Sequence, residues 1–162
     1  MKKNQIIFGV LVGIIVIGAV SYISYKLFFT KRKISKKNLD IEITNVVSNN
    51  IIGNAYDKEK PVYSKLSATF KTVLVSPGDS ITYDVTIKNK DSVDAKLCKI
   101  NLIDSENPAV IFKVDGLKKN DVLKSGHKNS FKVVVKYNDK TTSYPDKLEA
   151  SLVIKLEYVQ KA

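Results

Sequence analysis

An uncharged apolar run near the start of the chain places the strongest constraint on its fold. The run begins at Ile6, ends at Tyr25 and contains 20 residues. As an α-helix it would be about 30 Å long, which matches the hydrocarbon thickness of a bilayer. Apolar residues cover every face of such a helix, so it lacks the polar stripe of an amphipathic surface helix. The run therefore predicts a transmembrane helix, with the membrane as its partner.

The residues that follow the run support this interpretation. Aromatic residues up to Phe29 are followed by the basic segment KRKISKKN, residues 31–38. Aromatic side chains followed by basic ones are typical of the boundary between hydrocarbon and lipid headgroups. We expect a short basic tail over residues 1–5, a transmembrane helix with an aromatic flank over 6–29, a basic spacer over 30–38 and one folded domain over 39–162.

A cleaved signal peptide is the alternative interpretation of the same segment. Lys2 and Lys3 would form its positive region, residues 6–18 its apolar region, and cleavage would follow Ser21. The apolar character continues through Phe29 instead of ending at that site, which favours a retained anchor.

The positive charge of the chain is concentrated around this segment. The formal net charge is +11, but residues 1–37 hold 8 Lys or Arg and no acidic residue, which leaves 19 basic against 16 acidic residues in the remainder. The basicity therefore indicates a membrane collar and not a nucleic-acid surface. No Lys-aromatic stacking platform or nucleic-acid motif follows, so we expect no nucleic-acid partner.

Beyond the spacer, apolar and polar residues alternate with the period of half-buried β-strands. The clearest strand carries Ile81, Tyr83, Val85 and Ile87 on one face. Similar patterns predict strands around residues 39–43, 66–75, 93–102, 109–114, 131–137 and 148–158. About seven short strands with one apolar face each predict an all-β fold, an immunoglobulin-like antiparallel β-sandwich.

Three local interpretations refine this fold. Residues 49–64 collect Asn, Gly, Asp, Lys and Pro, which predicts a long connection outside the sheets and a candidate binding loop. The apolar phase slips by one residue at Cys98, which predicts a β-bulge or a strand bent between two sheets, with Cys98 buried. The strand over residues 148–158 is expected to be the longest and to lie at a sheet edge, where Lys147, Lys155 and Glu157 would prevent association and keep the domain monomeric.

No residue pattern in the sequence indicates catalysis or a bound cofactor. Cys98 and His127 are each the only residue of their kind, so an intrachain disulfide and a zinc site made of several Cys and His are both excluded. Two acidic pairs, Asp91 with Asp94 and Asp104 with Glu106, lack the further ligands that calcium requires. We therefore predict no catalytic, cofactor-binding or metal-binding residue and no enzymatic activity.

Two segments carry a resemblance to a known class of proteins. In SPGDSITYDVTIKNKDSVDAKL, residues 76–97, a Pro-Gly-Asp turn leads into an alternating strand that ends in Asn, and LKSGHKNSFKVVVKY, residues 123–137, repeats a Gly turn and a strand. With the closing LEYVQ, these motifs resemble the immunoglobulin-like modules of bacterial cell-surface proteins over most of residues 39–160. More distantly, the chain resembles the TasA and camelysin group of Gram-positive exported proteins, whose members build biofilm fibres or have been described as metalloproteases.

The resemblance implies exposure at the cell surface but transfers no catalytic residue, because the HExxH motif is absent. The positive-inside rule favours the opposite orientation, with the domain in the cytoplasm, because two Lys precede the span and six Lys or Arg follow it. We expect a single-pass protein of the cell membrane with its C-terminal domain outside, acting as a binding or structural module for a protein or a cell-wall polymer. The alternative is a subunit that polymerises through its sheet edges into a surface or biofilm-matrix assembly.

Overall fold

Nine β-strands form two antiparallel sheets in the computed structural model, which describes residues 39–104, 107–140 and 148–161. The predicted transmembrane helix and spacer lie outside these residues. No helix within the described ranges is long and apolar enough to cross a bilayer. The strands are β1 (Ile41–Ile52), β2 (Tyr56–Ser64), β3 (Ser67–Leu74), β4 (Ser80–Asn89), β5 (Ala95–Asp104), β6 (Val110–Asp115), β7 (Val122–Leu123), β8 (Lys128–Tyr137) and β9 (Leu148–Gln160).

The strand order divides the chain into a four-stranded and a five-stranded sheet. The first sheet has the order β1-β4-β8-β6 and the second has the order β2-β3-β9-β5-β7. The prediction of an all-β antiparallel domain is therefore confirmed. All seven predicted strands are present, and the described residues add β2 and β7, which the sequence interpretation missed.

The core lies between the two sheets and is built by the alternating apolar positions. Ile81, Tyr83, Val85 and Ile87 on β4 are fully buried, as are their counterparts on β8. From the opposite sheet, Phe70 on β3 packs its ring 4.6 Å from the ring of Tyr83, measured between centroids. Burial of such side chains contributes about 1.5–3 kcal/mol each, so the period-two pattern determines which face of every strand turns inward.

Strand β9 is the longest strand in the described part of the chain, but it does not lie at a sheet edge. It pairs with β3 on one side and with β5 on the other. The predicted edge position is therefore wrong. Lys155 and Glu157 are exposed on the outer face of a central strand, and Lys147 lies outside the described residues. The alternating apolar residues from Leu148 to Leu156 are buried, and Tyr158, which was expected to complete this face, is half-buried.

A β-bulge interrupts β5 where the apolar phase slips. The register with β9 shifts between Leu97 and Lys99, which confirms the bulge and places the whole strand in one sheet. Cys98 itself is half-buried instead of buried, and its thiol lies 3.1 Å from the carbonyl oxygen of Glu157. Beyond the bulge, Leu102 and Ile103 are exposed, at 42% and 52%.

The segment over residues 49–64 consists mostly of strand residues from two different sheets and is not a loop outside them. β1 continues to Ile52 along the edge of the four-stranded sheet, and β2 begins at Tyr56 on the edge of the five-stranded sheet. The chain thus crosses between the sheets at Gly53 and Asn54. The sequence pattern failed here because both strands are edge strands whose side chains are largely exposed, so apolar alternation is weak.

Three of the four edge strands of the two sheets are short or irregular. β1 carries two register shifts along β4, β2 contains Pro61 and two register shifts, and β7 has only two residues. Bulges, proline and short length are features by which natural proteins discourage edge-to-edge pairing. β6, the fourth edge strand, pairs with β8 in an unbroken register, so these features protect three of the four described edges but not that of β6.

The pairing of β1 with β4 defines two opposite ends of the domain. At one end Ile41 pairs with Asn89, and the backbone N–H of Lys90 donates to the carbonyl of Asp40. At the other end Ile52 pairs with Ser80. The chain enters at the first end, which we call the proximal end. The turn that joins β1 to β2 lies at the second, which we call the distal end.

Candidate functional site

Three exposed apolar side chains lie close together in sequence at the distal end, around the turn from β1 to β2. Ile51, Ile52 and Tyr56 are 51%, 53% and 44% exposed, respectively. We call residues 51–56 the hairpin tip because the chain reverses direction there, although β1 and β2 belong to different sheets and do not pair with each other. A short segment with three large apolar side chains at the surface is suited to contact a partner and not to hold a substrate for chemistry.

The hairpin tip is fixed to the domain by Asp79, which follows the turn between β3 and β4. The carboxylate of Asp79 is buried and accepts the backbone N–H of Val75 at 2.9 Å, of Ser76 at 3.0 Å and of Asn54 at 3.2 Å. The first two bonds hold its own turn, and the third reaches across to the hairpin tip. Charge-assisted hydrogen bonds of this kind are stronger than neutral ones, so the tip is held by its neighbouring turn.

Gly53 permits this contact in two ways. Its φ angle is +72°, in the left-handed region that side chains other than glycine rarely adopt. In addition, a Cβ at this position would lie 1.9 Å from Oδ1 of Asp79, well inside van der Waals contact. The approach of Asp79 to the tip therefore requires glycine at position 53.

A buried tyrosine attaches β2 to the rest of the domain. The hydroxyl of Tyr83 on β4 donates to the carboxylate of Asp57 on β2, so the hydroxyl of Thr72 on β3, 2.8 Å away, donates to the tyrosine oxygen. Burial raises the pKa of Tyr83 well above its usual range, and the hydrogen bond to Asp57 raises it further. Tyr83 thus connects the two sheets directly beneath the strand that follows the hairpin tip.

The exposed apolar residues of the domain are concentrated on β1 and β2. Of the ten large hydrophobic side chains that are exposed in the described ranges, six belong to these two strands. They are Val47, Ile51, Ile52, Tyr56, Val62 and Tyr63. Val62 is the most exposed of all ten, at 67%. This concentration makes the β1–β2 segment the best candidate for a binding surface.

A shallow open groove of about 510 Å³ crosses the outer face of the four-stranded sheet. Its walls carry the carboxylates of Asp84 and Asp115, with Lys132 opposite both in the strand register. Asn49 donates to Asp84 at 2.5 Å, and the hydroxyls of Thr86 and Ser130 lie 3.2 Å apart. These groups contact one another across a sheet surface, as cross-strand pairs ordinarily do, and contain no nucleophile positioned by a base.

The acidic residues singled out from the sequence serve as turn caps in the structure. Asp94 accepts the backbone N–H of Ser125 at 3.0 Å, and Asp91 accepts the backbone N–H of Ser92 at 2.7 Å. Glu106, the suggested partner of Asp104, lies outside the described residues. Within the described ranges, no group of three or more His, Cys, Asp or Glu side chains is arranged to hold a metal ion.

The single histidine lies in the turn before β8. Nδ1 of His127 is 2.8 Å from the carbonyl oxygen of Ser125, and the side chain is exposed. Its neighbour Gly126 has a φ of +72°, in the left-handed region that turns use. Asp94 accepts the N–H of Ser125 in the same turn, but the hydrogen bond described for the His127 ring goes to the carbonyl of Ser125 and not to an acidic side chain or Cys98.

The candidate binding loop predicted from the sequence, residues 49–64, contains the hairpin tip, but the sequence interpretation missed the strands on either side of it and the role of Asp79. The available signal was the dipeptide Gly53-Asn54 between apolar residues, which is typical of a tight hairpin turn. The Asp79 contact had no local signal, because it joins residues 25 positions apart. Comparison of the chain with protein-family models, with curated proteins and with solved structures found no match in any of the three.

Proposed function

We propose that this protein is a single-pass membrane-anchored surface protein whose C-terminal immunoglobulin-like sandwich is an extracellular, non-catalytic binding module. The anchor is the apolar run from Ile6 to Tyr25. The binding surface is the hairpin tip, and its partner is another protein.

One observation supports this proposal above the others, namely that the hairpin tip and the chain entry lie at opposite ends of β1. Leu39 precedes the proximal end of the strand, and Ile52 ends it at the distal end. Twelve residues at about 3.3 Å each separate these ends by up to about 40 Å. An anchor before residue 39 therefore leaves the hairpin tip at the far end of the domain from its attachment.

The chemistry of the tip favours a protein over a cell-wall polymer. Ile51 and Ile52 offer only apolar contact, whereas a glycan would require an array of hydrogen-bonding groups around it. Aliphatic and tyrosine side chains at the centre of a patch are typical of protein interfaces. The hydrogen bonds from Asp79 preorganise the tip, which reduces the entropy lost on binding.

The alternative of a polymerising subunit receives less support. Polymerisation would require open sheet edges, and three of the four described edges contain bulges, Pro61 or a very short strand, which leaves only β6 as a regular edge. The non-catalytic assignment rests on the roles of the candidate side chains: Asp91 and Asp94 hold turns, and the groove residues form cross-strand pairs.

Photocrosslinking in intact cells tests the proposed binding surface. A photoreactive amino acid is placed at position 52 in the hairpin tip and, as the control, at position 99 on the exposed face of β5. We expect position 52 to give a discrete adduct with another protein and position 99 to give none. Introducing Ile51→Ser beside the probe should abolish the adduct, because it removes the exposed isoleucine that remains at the tip.

Three outcomes would contradict the proposal. Adducts of equal yield at both positions would indicate random collision, and the absence of any adduct would remove the tip as a binding surface. An adduct of twice the chain mass that contains only this protein would favour the assembly subunit.

A further inference from the structure

We propose that the open edge of β6 binds an extended segment of another protein, which adds to the four-stranded sheet as a further antiparallel strand. This edge is distinct from the hairpin tip. Ile52 at the tip and Ile111 on β6 lie in the same register row, on opposite edge strands of that sheet. Three strand spacings separate them, roughly 14 Å. The inference goes beyond the proposed function and requires neither the anchor nor the tip.

The backbone of β6 directs two of its residues towards the open edge. The N–H of Asn138 donates to the carbonyl of Ala109 at 2.8 Å, which makes these residues a hydrogen-bonded pair between β8 and the start of β6. Such pairs alternate along an antiparallel ladder, so the odd-numbered residues from 111 to 115 also bond to β8. The N–H and C=O groups of the residues between them, Phe112 and Val114, therefore point away from β8.

No described residue completes the hydrogen bonds of these two outward residues. β6 is the last strand in the order of its sheet. Within residues 39–104, 107–140 and 148–161, neither Phe112 nor Val114 forms a backbone hydrogen bond to a turn or a loop. Both side chains are half-buried and pack against the core from the edge. An added strand would pair the backbone groups and cover the exposed remainder of both side chains.

The features that protect the other three edges are missing from β6. Its register with β8 is unbroken over all six residues, and it contains no proline. Lysine on an edge strand often discourages pairing, but the amine of Lys113 forms an ion pair with the carboxylate of Asp115 at 2.9 Å. The opposite edge of the sheet, β1, is bulged, so one added strand completes the sheet and does not start a polymer.

The outer face of β6 specifies the chemistry of its partner. Ile111, Lys113 and Asp115 alternate along this face, in the order apolar, basic and acidic. An antiparallel strand that matches them carries, in its own chain direction, a basic, an acidic and an apolar residue at alternate positions. The residues between these three lie opposite Val114 and Phe112 and are apolar. The partner is therefore an amphipathic extended segment of a protein, with one charged pair on its outer face.

A second copy of β6 does not satisfy this pattern over the full strand. Hydrogen bonding from this edge requires even-numbered residues to lie opposite each other. When Phe112 lies opposite Phe112 of the copy, Lys113 faces Ile111, and when Phe112 lies opposite Val114, the two copies of Lys113 face each other. Opposite charges meet only in the register centred on Val114, which leaves Val110 and Ile111 without a strand residue opposite them. A strand of different sequence therefore fits the edge better than a second copy.

Two synthetic peptides test the addition on the full chain in detergent. The matched peptide, acetyl-Lys-Val-Glu-Val-Ile-amide, places its Lys opposite Asp115 and its Glu opposite Lys113. The swapped peptide exchanges Lys and Glu, which keeps the composition and the net charge. Amide hydrogen exchange, measured by NMR, reports strand pairing at the N–H groups of Phe112 and Val114. Titration of the same signals gives the affinity.

We expect the N–H groups of Phe112 and Val114 to exchange faster in the free chain than those of Ile111 and Lys113, which bond to β8. The matched peptide should slow their exchange. It should also bind roughly tenfold more tightly than the swapped peptide, because the latter places like charges opposite each other at two positions.

Methylation of single peptide nitrogens separates strand addition from other modes of binding. In the matched peptide, the N–H groups of the second and fourth residues would donate to the carbonyls of Val114 and Phe112. Methylation of either nitrogen should therefore abolish binding. Methylation of the third residue is the control and should be tolerated, because the N–H of that residue points away from β6.

Lys113→Glu tests the specificity from the side of the chain. Each peptide then has one attractive and one repulsive contact with the edge, so the preference for the matched peptide should disappear. Lys99→Glu, at an exposed residue of β5, changes the net charge of the chain equally and should retain the preference.

Four results would overturn the proposal. The first is the absence of binding at millimolar peptide, and the second is equal affinity for the matched peptide, the swapped peptide and the methylated forms. The third is slow exchange at Phe112 and Val114 in the free chain at every concentration, which would mean that the chain itself covers the edge. The fourth is exchange that slows with protein concentration in the absence of peptide, which would assign the edge to a second copy.

Discussion

The carboxylate of Asp79 lies so close to Gly53 that a Cβ at position 53 would be 1.9 Å from its Oδ1 atom. We expect Gly53→Ala to displace Asp79 and to lower the free energy of unfolding by more than the roughly 1–2 kcal/mol of left-handed strain alone. Urea denaturation measures the change. Gly78→Ala is the control, because Gly78 also has a positive φ, +92°, but a Cβ there would meet nothing within 4 Å. Equal losses in the two variants would show that the Asp79 contact is unimportant.

The hydroxyl of Tyr83 is expected to contribute measurably to stability. Tyr83→Phe leaves Asp57 and Thr72 without their common partner in a largely buried setting, which should cost about 1–3 kcal/mol. Thr72→Val removes one of the same hydrogen bonds. In a double-mutant cycle by denaturation, the two losses should sum to more than the loss of the double variant, because they share one bond. Strict additivity would mean that the Tyr83–Thr72 bond is not made.

Tyr158 gives the domain a predictable response to alkaline pH. Burial raises the pKa of Tyr158 to about 12, and the nearby Asp121 carboxylate adds to the rise. A tyrosine in the unfolded chain has a pKa of 10.0. Between pH 10 and pH 12 the unfolded state therefore binds fewer protons than the folded state. The free energy of unfolding should therefore be independent of this group below about pH 10 and fall as pH rises towards 12.

Tyr158→Phe should make that fall shallower, as measured by urea denaturation at a series of alkaline pH values. Tyr63→Phe, at an exposed tyrosine of β2, is the control and should leave the slope unchanged. The prediction fails if Tyr158→Phe and the wild type lose stability in parallel.

The central position of β9 changes what its outward lysine is expected to do. Leu152→Asp places an unpaired charge in the core and should unfold the domain, since the cost of several kcal/mol approaches a typical total of about 5–15. Lys155→Val should instead leave the domain folded and monomeric in size-exclusion chromatography, because β9 has a partner strand on both sides. Long polymers of the Lys155→Val variant would mean that the lysine guards an association surface after all.

The success of the sequence interpretation follows from where each strand lies. β4, β8 and β9 are central in their sheets, so one face is buried along most of each strand and the apolar alternation is complete. The same alternation reveals two faces but not the neighbours of a strand, and for this reason β9 was placed at an edge. Strand order depends on the pairing of distant segments, which no local pattern records.

The candidate site was harder to predict for a related reason. The residues of β2 are exposed on both faces for most of its length, so their sequence lacks the apolar alternation of a half-buried strand. Pro61 adds to this, because a proline within a run argues against a strand. The side chain that fixes the tip, Asp79, belongs to a different turn and meets it only in the folded domain. A sequence pattern could have located the turn at Gly53-Asn54 but not the carboxylate that holds it.

The most direct test of the central claim is the accessibility of the domain to protease added to intact cells. If the apolar run is a retained anchor and the domain lies outside, the protease should remove the domain while a membrane-bound fragment that contains residues 6–25 remains. The positive-inside bias of the flanking Lys and Arg residues predicts the opposite orientation. Full protection in intact cells, together with complete digestion after lysis, would contradict an extracellular domain and place the hairpin tip in the cytoplasm.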